Sequence, residues 1–138
     1  MITVDYLMAH LGLEPLPEEG GYFAETYRSS IQIPGECLPR RYTDSRSCAT
    51  AIYYLLTPDT FSALHRLPGD EIYHVYLGDP VDLLLLHPDG RGEVVTLGQD
   101  LEAGMRLQAV APGGVWQGSR LRHGGRFALL GTTMAPGF

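Results

Sequence analysis

The first residues have the hydrophobic periodicity of a short helix. Four apolar residues fall at helical spacing and form one stripe: Val4, Leu7, Met8 and Leu11. Thr3 suits the N-cap, Asp5 suits the first turn, and Gly12 is typical of a helix end. The pattern therefore predicts one short helix over residues 3–11, with an apolar face that must pack on another element.

From Tyr22 the chain changes to short runs rich in β-branched and aromatic residues, separated by Gly and Pro. The expected strands cover residues 22–28, 49–56, 61–65, 71–77, 81–87, 93–97, 104–110, 115–118 and 127–133. Residues 29–46 are polar and predict a long loop. Eight or nine short strands at even spacing, with no linker or repeat, indicate one all-β domain over residues 1–138, a sandwich or a barrel.

The composition excludes several classes of function. The net charge of -6 disfavours nucleic acid, because phosphate neutralisation dominates that affinity. No apolar run approaches the length of a membrane span, the run Leu83 to Leu86 included, and the first residues lack a basic signal region. Two cysteines, Cys37 and Cys48, favour reduced thiols, so we expect a cytoplasmic protein. All ten basic residues are Arg, which rules out Schiff-base chemistry on Lys.

The segment from His65 to Gly78 holds two of the five histidines and a glutamate, Glu71. In a regular strand Glu71 and His74 point to opposite faces, so His74 is a poor co-ligand. The side of His65 depends on the turn at residues 68–69. A two-residue loop places His65 with His74, whereas an odd loop or a bulge places it with Glu71. Pro-Gly favours a type II turn, so we expect the longer or bulged loop.

Two motifs of the chain, one in this segment and one farther on, resemble those of the cupin superfamily, which has a double-stranded β-helix, or jelly roll. Glu71 is followed by six residues and Gly78, with His65 at the place of the first histidine. The second motif is matched at Gly104, Pro112 and Gly114. The chain most resembles the small single-domain cupin family five, whose function is undefined, in these segments: 19–23, 25–28, 62–65, 70–71, 78–80 and 115–117. This resemblance implies a jelly roll with a short N-terminal helix, a homodimer, and His65 and Glu71 on one side.

The departures from the cupin motifs concern metal ligands. Leu67 stands where a second histidine is expected, and Gln117 replaces the histidine of the second motif. His65, Glu71 and Gln117 would offer a single imidazole and two oxygen ligands, which is a weak set for zinc or iron. We therefore expect no tightly bound metal, although a weakly bound divalent cation remains compatible with three such ligands.

Without a metal, a carboxylate beside His65 would orient the imidazole and raise its basicity, which suits a general base. Tyr73 is the candidate acid, by similarity to deoxysugar epimerases of the cupin superfamily. Trp116 either packs in the core or stacks on a ligand at the pocket mouth. Arg28 either clamps an anionic group of the ligand or pairs with a glutamate such as Glu25.

The resulting prediction is a small-molecule-binding cupin with His65, Glu71 and Tyr73 as catalytic candidates and Gln117, Trp116 and Arg28 as ligand-binding candidates. One hypothesis makes it an isomerase or epimerase of a sugar-like or carbonyl substrate. The alternative is a non-catalytic ligand-binding or sensing protein with a degenerate metal site. A third interpretation places the histidines in the core of a structural dimer.

Overall fold

The structure, a computed structural model, describes residues 1–138 and consists mainly of antiparallel strands. Helix α1 spans Val4–Leu11. The strands are β1 Glu14–Pro15, β2 Tyr22–Arg28, β3 Gln32–Ile33, β4 Arg46–Ser47, β5 Thr50–Leu56, β6 Phe61–Arg66, β7 Glu71–Gly78, β8 Val81–Leu86, β9 Gly92–Leu97, β10 Gln108–Ala111, β11 Trp116–Leu121 and β12 Ala128–Met134. Two short 3-10 helices span Gly35–Cys37 and Leu101–Ala103. No helix has the length and apolar character that crossing a membrane requires.

Two sheets face each other and form the jelly roll that the sequence predicted. The larger sheet has the order β1-β2-β5-β12-β7-β10, and the smaller has the order β6-β11-β8-β9. Inward side chains of both sheets form the main core, including Tyr54, Leu83 and Leu130. A second cluster lies on the outer face of the larger sheet, where Leu7 of α1 packs on Leu55 and Leu129.

The N-terminal helix forms as its pattern predicts. The side chain of Thr3 accepts a hydrogen bond from the backbone N–H of Tyr6 at 3.1 Å, and Gly12 ends the helix with φ 65°. The apolar stripe meets the outer face of the larger sheet through Leu7, which is buried. The expected strand at 104–110 is shorter than predicted, because a 3-10 turn capped by Gly104 at φ 87° precedes β10.

The expected hairpin between β6 and β7 is wrong. The two strands lie in different sheets, so they share no register and the parity of the turn does not decide where His65 points. The connecting residues 67–70 instead pack on the segment that precedes β11. The backbone N–H of Gly113 donates to the Asp70 carboxylate at 2.8 Å, and that of Gly114 donates to the Leu67 carbonyl at 2.9 Å.

Candidate functional site

Four of the six predicted site residues come from both sheets and meet in the interior. Glu71 and Tyr73 project inward from β7 of the larger sheet, and both are buried. His65 on β6 and Gln117 on β11 are directly paired neighbours in the smaller sheet. His74 lies on the opposite face of β7, where its Nε2 is 2.9 Å from the hydroxyl of Thr133, as strand parity predicted.

The reactive groups surround a very small cavity, here called the inner chamber. Its volume is about 20 Å³. The lining residues are Leu16, Glu19, Ile52, Tyr54, Ser62, His65, Glu71, Tyr73 and Thr132. A cavity of this size has room for roughly one water molecule among several polar partners.

A larger cavity, the outer chamber, adjoins the inner one. Its volume is about 270 Å³. The lining residues are Leu16, Glu19, Phe23, Glu25, Arg28, Thr50, Ile52, Leu67, Glu71, Thr132, Met134 and Phe138. Glu19, Glu71 and Thr132 line both chambers, so they form the boundary between a space for a small organic molecule and the histidine beyond it.

The imidazole of His65 is held in one tautomer by the backbone. Its Nδ1 lies 2.7 Å from the carbonyl oxygen of Ala63. A carbonyl oxygen only accepts hydrogen bonds, so Nδ1 carries the hydrogen and Nε2 of the neutral ring has a free lone pair. Nε2 lies 3.8 Å from a carboxylate oxygen of Glu19. The arrangement leaves Nε2 able to accept a proton, with Glu19 placed to stabilise the resulting cation.

The partner of His65 is therefore Glu19, whereas the sequence had suggested Glu71. Glu19 lies in the turn between β1 and β2, and this turn is tied to β6, because the N–H of Ala63 donates to the Glu19 carbonyl at 2.7 Å. Gly20 follows with φ 96°, a conformation that favours glycine. The hydroxyl of Tyr54, on β5 of the larger sheet, donates to the Gly20 carbonyl at 2.6 Å and also fixes the turn.

Glu71 lies deep in the barrel, and burial raises the pKa of its carboxyl group. Hydrogen bonding to Thr132 and Gln117 and the charge of His65 oppose this rise, while the negative charge of Glu19 adds to it. Loss of hydration outweighs the partners. Glu71 therefore holds a proton to higher pH than an exposed glutamate, which suits a group that exchanges protons or donates a hydrogen bond.

Tyr73 and Gln117 form a direct hydrogen bond, with the Tyr73 hydroxyl donating to the Gln117 side-chain oxygen. Burial raises the pKa of Tyr73 well above its usual value, and the negative charge of Glu71 adds to the effect. Burial likewise raises the pKa of Tyr54. Both phenols therefore remain protonated at neutral pH and act as hydrogen-bond donors in the interior.

Arg28 reaches the outer chamber but is already paired. Its Nε donates to one carboxylate oxygen of Glu25 and one terminal nitrogen donates to the other, both at 2.8 Å. The other terminal nitrogen donates to the Phe138 carbonyl at 3.1 Å. Of the two roles expected for Arg28, the structure shows the pairing with Glu25.

Trp116 lies outside both chambers. It precedes Gln117 on β11 and projects from the outer face of the smaller sheet, where the guanidinium of Arg66 stacks on its ring at 5.1 Å. A shallow groove of about 780 Å³ also opens on this face, next to Leu64 and Val94, and none of the predicted site residues lines it. Trp116 is 44% exposed, so it occupies neither of its two expected positions, the core or the mouth of the pocket.

The residues present do not fit the metal centre that the cupin fold suggests. No group of three or more His, Cys, Asp or Glu side chains is placed to hold a metal ion. The side-chain oxygen of Gln117 accepts the Tyr73 hydroxyl, so this candidate ligand atom is already engaged in a hydrogen bond. Leu67, at the place of the second histidine, contributes an apolar wall to the outer chamber.

The sequence reasoning missed four lining residues that are distant in the chain: Glu19, Tyr54, Ser62 and Thr132. Two of them carried a signal. Glu19 directly precedes a Gly-Gly pair, which indicates a turn held in a fixed place. Thr132 is a polar residue at an inward position of β12, opposite Tyr73.

Comparison with known proteins gives a consistent result. Residues 5–138 match the family model described as Cupin superfamily (DUF985). An uncharacterized protein of Saccharomyces cerevisiae, YML079W, is 33% identical over 128 residues. That match covers 87% of this chain and 64% of the yeast protein, so the chain spans less than two thirds of its relative.

Solved structures share the same architecture. A hypothetical protein from Leishmania major is 30% identical, with a TM-score of 0.88, over 99% of this chain and 83% of that one. Protein SO0799 from Shewanella oneidensis is 33% identical, with a TM-score of 0.86, over 100% of this chain and 80% of that one. Oxalate decarboxylase of Bacillus subtilis is 15% identical, with a TM-score of 0.58, over 90% of this chain and 27% of that one, a similarity that concerns the fold alone.

Proposed function

Since the chain belongs to the Cupin superfamily (DUF985), we propose that it binds a small molecule in the outer chamber and presents His65 to it as a general base. The observation that carries this proposal is the fixed tautomer of His65. Its Nδ1–H is committed to the Ala63 carbonyl, and Nε2 faces Glu19 with a free lone pair.

The chemistry follows from the order of groups along the two chambers. A ligand in the outer chamber contacts Glu71, and Nε2 of His65 reaches it through the inner chamber, directly or by one water. Transfer of a proton from the substrate to Nε2 makes His65 an imidazolium, which Glu19 stabilises. Tyr73, which lines the inner chamber together with His65, keeps its proton at neutral pH and is the candidate acid that returns one to the substrate. Proton transfer of this kind suits an isomerase or epimerase of a sugar-like or carbonyl substrate.

The test of the enzyme hypothesis uses a substrate identified by screening sugars and carbonyl metabolites for turnover. We expect His65→Ala and Glu71→Gln to lower turnover by about 100-fold or more, as loss of a general base does, while the circular dichroism spectrum is unchanged. His87→Ala is the control, because His87 pairs with Glu93 at the surface hairpin of β8 and β9. Full activity in both site variants would refute the assignment of the base.

A non-catalytic binding protein is the second candidate, and the bond from Tyr73 to Gln117 favours it. This bond engages the proton that an acid would have to deliver. In this case a metabolite raises the melting temperature, is recovered unchanged, and still binds His65→Ala with similar affinity.

We also propose a homodimer that forms through the outer face of the larger sheet. Three apolar side chains on β7 and β10 are more than a third exposed there: Ile72, Tyr76 and Val110. We expect Val110→Glu to shift the molar mass in light scattering from dimer to monomer. Val94→Glu on the other sheet, at a residue that is also exposed, is the matched control. A monomeric wild-type protein would contradict this proposal.

A further inference from the structure

The charged groups around the two chambers are mostly acidic. Glu19 and Glu71 stand at the boundary between the chambers, and Glu25 stands farther out. Arg28 is the one cationic residue that lines the outer chamber, and His65 lies beyond the boundary. Charges at such partly buried positions act at a lower effective dielectric than in water, so their sign weighs on which ligand enters.

The positive charge of Arg28 is already compensated. Glu25 binds the guanidinium through both carboxylate oxygens at 2.8 Å, and the Phe138 carbonyl takes a third contact. A ligand carboxylate or phosphate would have to displace a bidentate partner that stands three residues away on the same strand. The pairing leaves Glu71 without a cationic partner among the residues of the outer chamber, while Glu19 faces only His65, which lies beyond the boundary.

Most of the remaining residues that line the outer chamber are apolar, and Thr50 and Thr132 add two hydroxyl groups. Leu16, Ile52, Leu67 and Met134 surround the space, and Phe23 adds an aromatic ring. These side chains suit the hydrocarbon part of a ligand. An aromatic ring also attracts a cation more than it attracts an anion.

Burial raises the pKa of Glu71, because its charged form lacks enough compensation. A cation held beside this carboxyl group would supply that compensation. The geometry at the boundary therefore offers two carboxyl groups that a ligand ammonium can satisfy and few donors that a ligand anion can use.

We propose that the outer chamber selects small organic amines, with the protonated nitrogen between Glu19 and Glu71 and the hydrocarbon part against the apolar walls. This inference rests on the proposed function, because it requires a ligand in the outer chamber. It adds the charge class of that ligand, and it assigns Glu25 the role of keeping Arg28 from accepting anions.

The experiment compares three probes with one carbon skeleton: cyclohexylmethylamine, cyclohexylmethanol and cyclohexanecarboxylate. Binding to the full chain is measured at neutral pH by titration calorimetry, and backbone NMR shifts locate the site. We expect the amine to bind at least about tenfold more tightly than the carboxylate, with shifts at Glu71 and Ile52. Equal or tighter binding of the carboxylate would overturn the inference.

Two variants separate the contributions. Glu19→Gln keeps the shape of the side chain and should weaken amine binding about fivefold. Glu25→Gln frees Arg28 and should strengthen carboxylate binding by a similar factor. Glu93→Gln, at the surface hairpin, is the control and should leave both affinities unchanged. Amine binding that is insensitive to Glu19→Gln would also refute the assignment.

The outcomes separate this inference from the function on which it rests. If the alcohol or the carboxylate binds best and the shifts map to the outer chamber, the amine selectivity is wrong and small-molecule binding stands. If no probe shifts the chamber residues, the selectivity is refuted. Small-molecule binding is then refuted as well if a thermal-shift screen of neutral and anionic metabolites also finds no ligand.

Discussion

Replacing Tyr73 by Phe removes a single hydroxyl group from the barrel interior and leaves the Gln117 side-chain oxygen without its donor. Gln117 is 1% exposed, so water does not replace the lost partner. An unsatisfied buried acceptor costs roughly 1–3 kcal/mol. For a chain of 138 residues, each 1 kcal/mol lowers the melting temperature by about 3–4 °C, so we expect a decrease of about 3–12 °C.

A double-mutant cycle isolates this hydrogen bond. Gln117→Met keeps the unbranched shape and should also cost about 1–3 kcal/mol, because the Tyr73 hydroxyl then lacks an acceptor. In the double variant neither orphan remains, so the two losses should not add, and we expect a coupling energy of about 1–3 kcal/mol. The interaction of Gln117 with Glu71 is absent in both Gln117 variants and cancels in the cycle.

The assay is urea unfolding followed by circular dichroism, with an unchanged denaturant slope as the check that two-state behaviour holds. If the two single losses add within about 0.5 kcal/mol, the hydrogen bond does not form as described. The assignment of Gln117 as a partner of Tyr73, and its exclusion from a metal centre, would then have to be withdrawn.

Three further predictions concern stability. Because folding raises the pKa of the Glu71 carboxyl group, the stability that this group contributes is complete below the ordinary carboxyl pKa and is lost as the pH rises through the raised pKa. Above that pH range, melting curves should therefore show Glu71→Gln gaining stability relative to wild type. A difference in stability that does not depend on pH would refute this. Gly20→Ala should lower the free energy of unfolding in urea by about 3 kcal/mol or more, since φ is positive and an added Cβ would overlap the Phe61 carbonyl oxygen. Gly90→Ala, where φ is also positive but the added Cβ meets no neighbour, should lower it by only about 1–2 kcal/mol. Equal losses for the two variants would contradict the close approach of Gly20 to Phe61. Leu83→Ala, at a fully buried core position, should cost about 2–5 kcal/mol by the same measurement, and a loss below about 1 kcal/mol would place Leu83 outside the core.

Local pattern was sufficient for the helix and for most of the long strands, and for the sides of the residues on β7. The caps at Thr3 and Gly12 delimit α1, and the alternation along β7 correctly separates Glu71 from His74. The jelly roll, by contrast, came from the even strand spacing together with the cupin motifs, because strand pairing over long sequence distances leaves no local signal.

The predicted pairing of His65 with Glu71 was wrong for the same reason. Pro68-Gly69 has the composition of a hairpin turn, but the chain crosses there from one sheet to the other, which depends on tertiary packing. Glu19 was missed because it stands 46 positions before His65 and meets it only through a turn fastened to β6. Trp116 was misplaced because the face of β11 that it occupies is set by its neighbour Gln117, whose inward position the sequence did not fix.

The halves of the site stand on two sheets that share no hydrogen-bonded ladder across the interior, with His65 in one sheet and Glu71 in the other. A ligand that touches both would act as a cross-link between the two sheets, which are otherwise joined through their shared apolar core. The exchange of amide hydrogens with solvent deuterium would then become slower in β6 and in β7 by the same factor, although no new backbone hydrogen bond forms. A joint decrease of the exchange rates in the two sheets would therefore indicate that a ligand is bound in the interior.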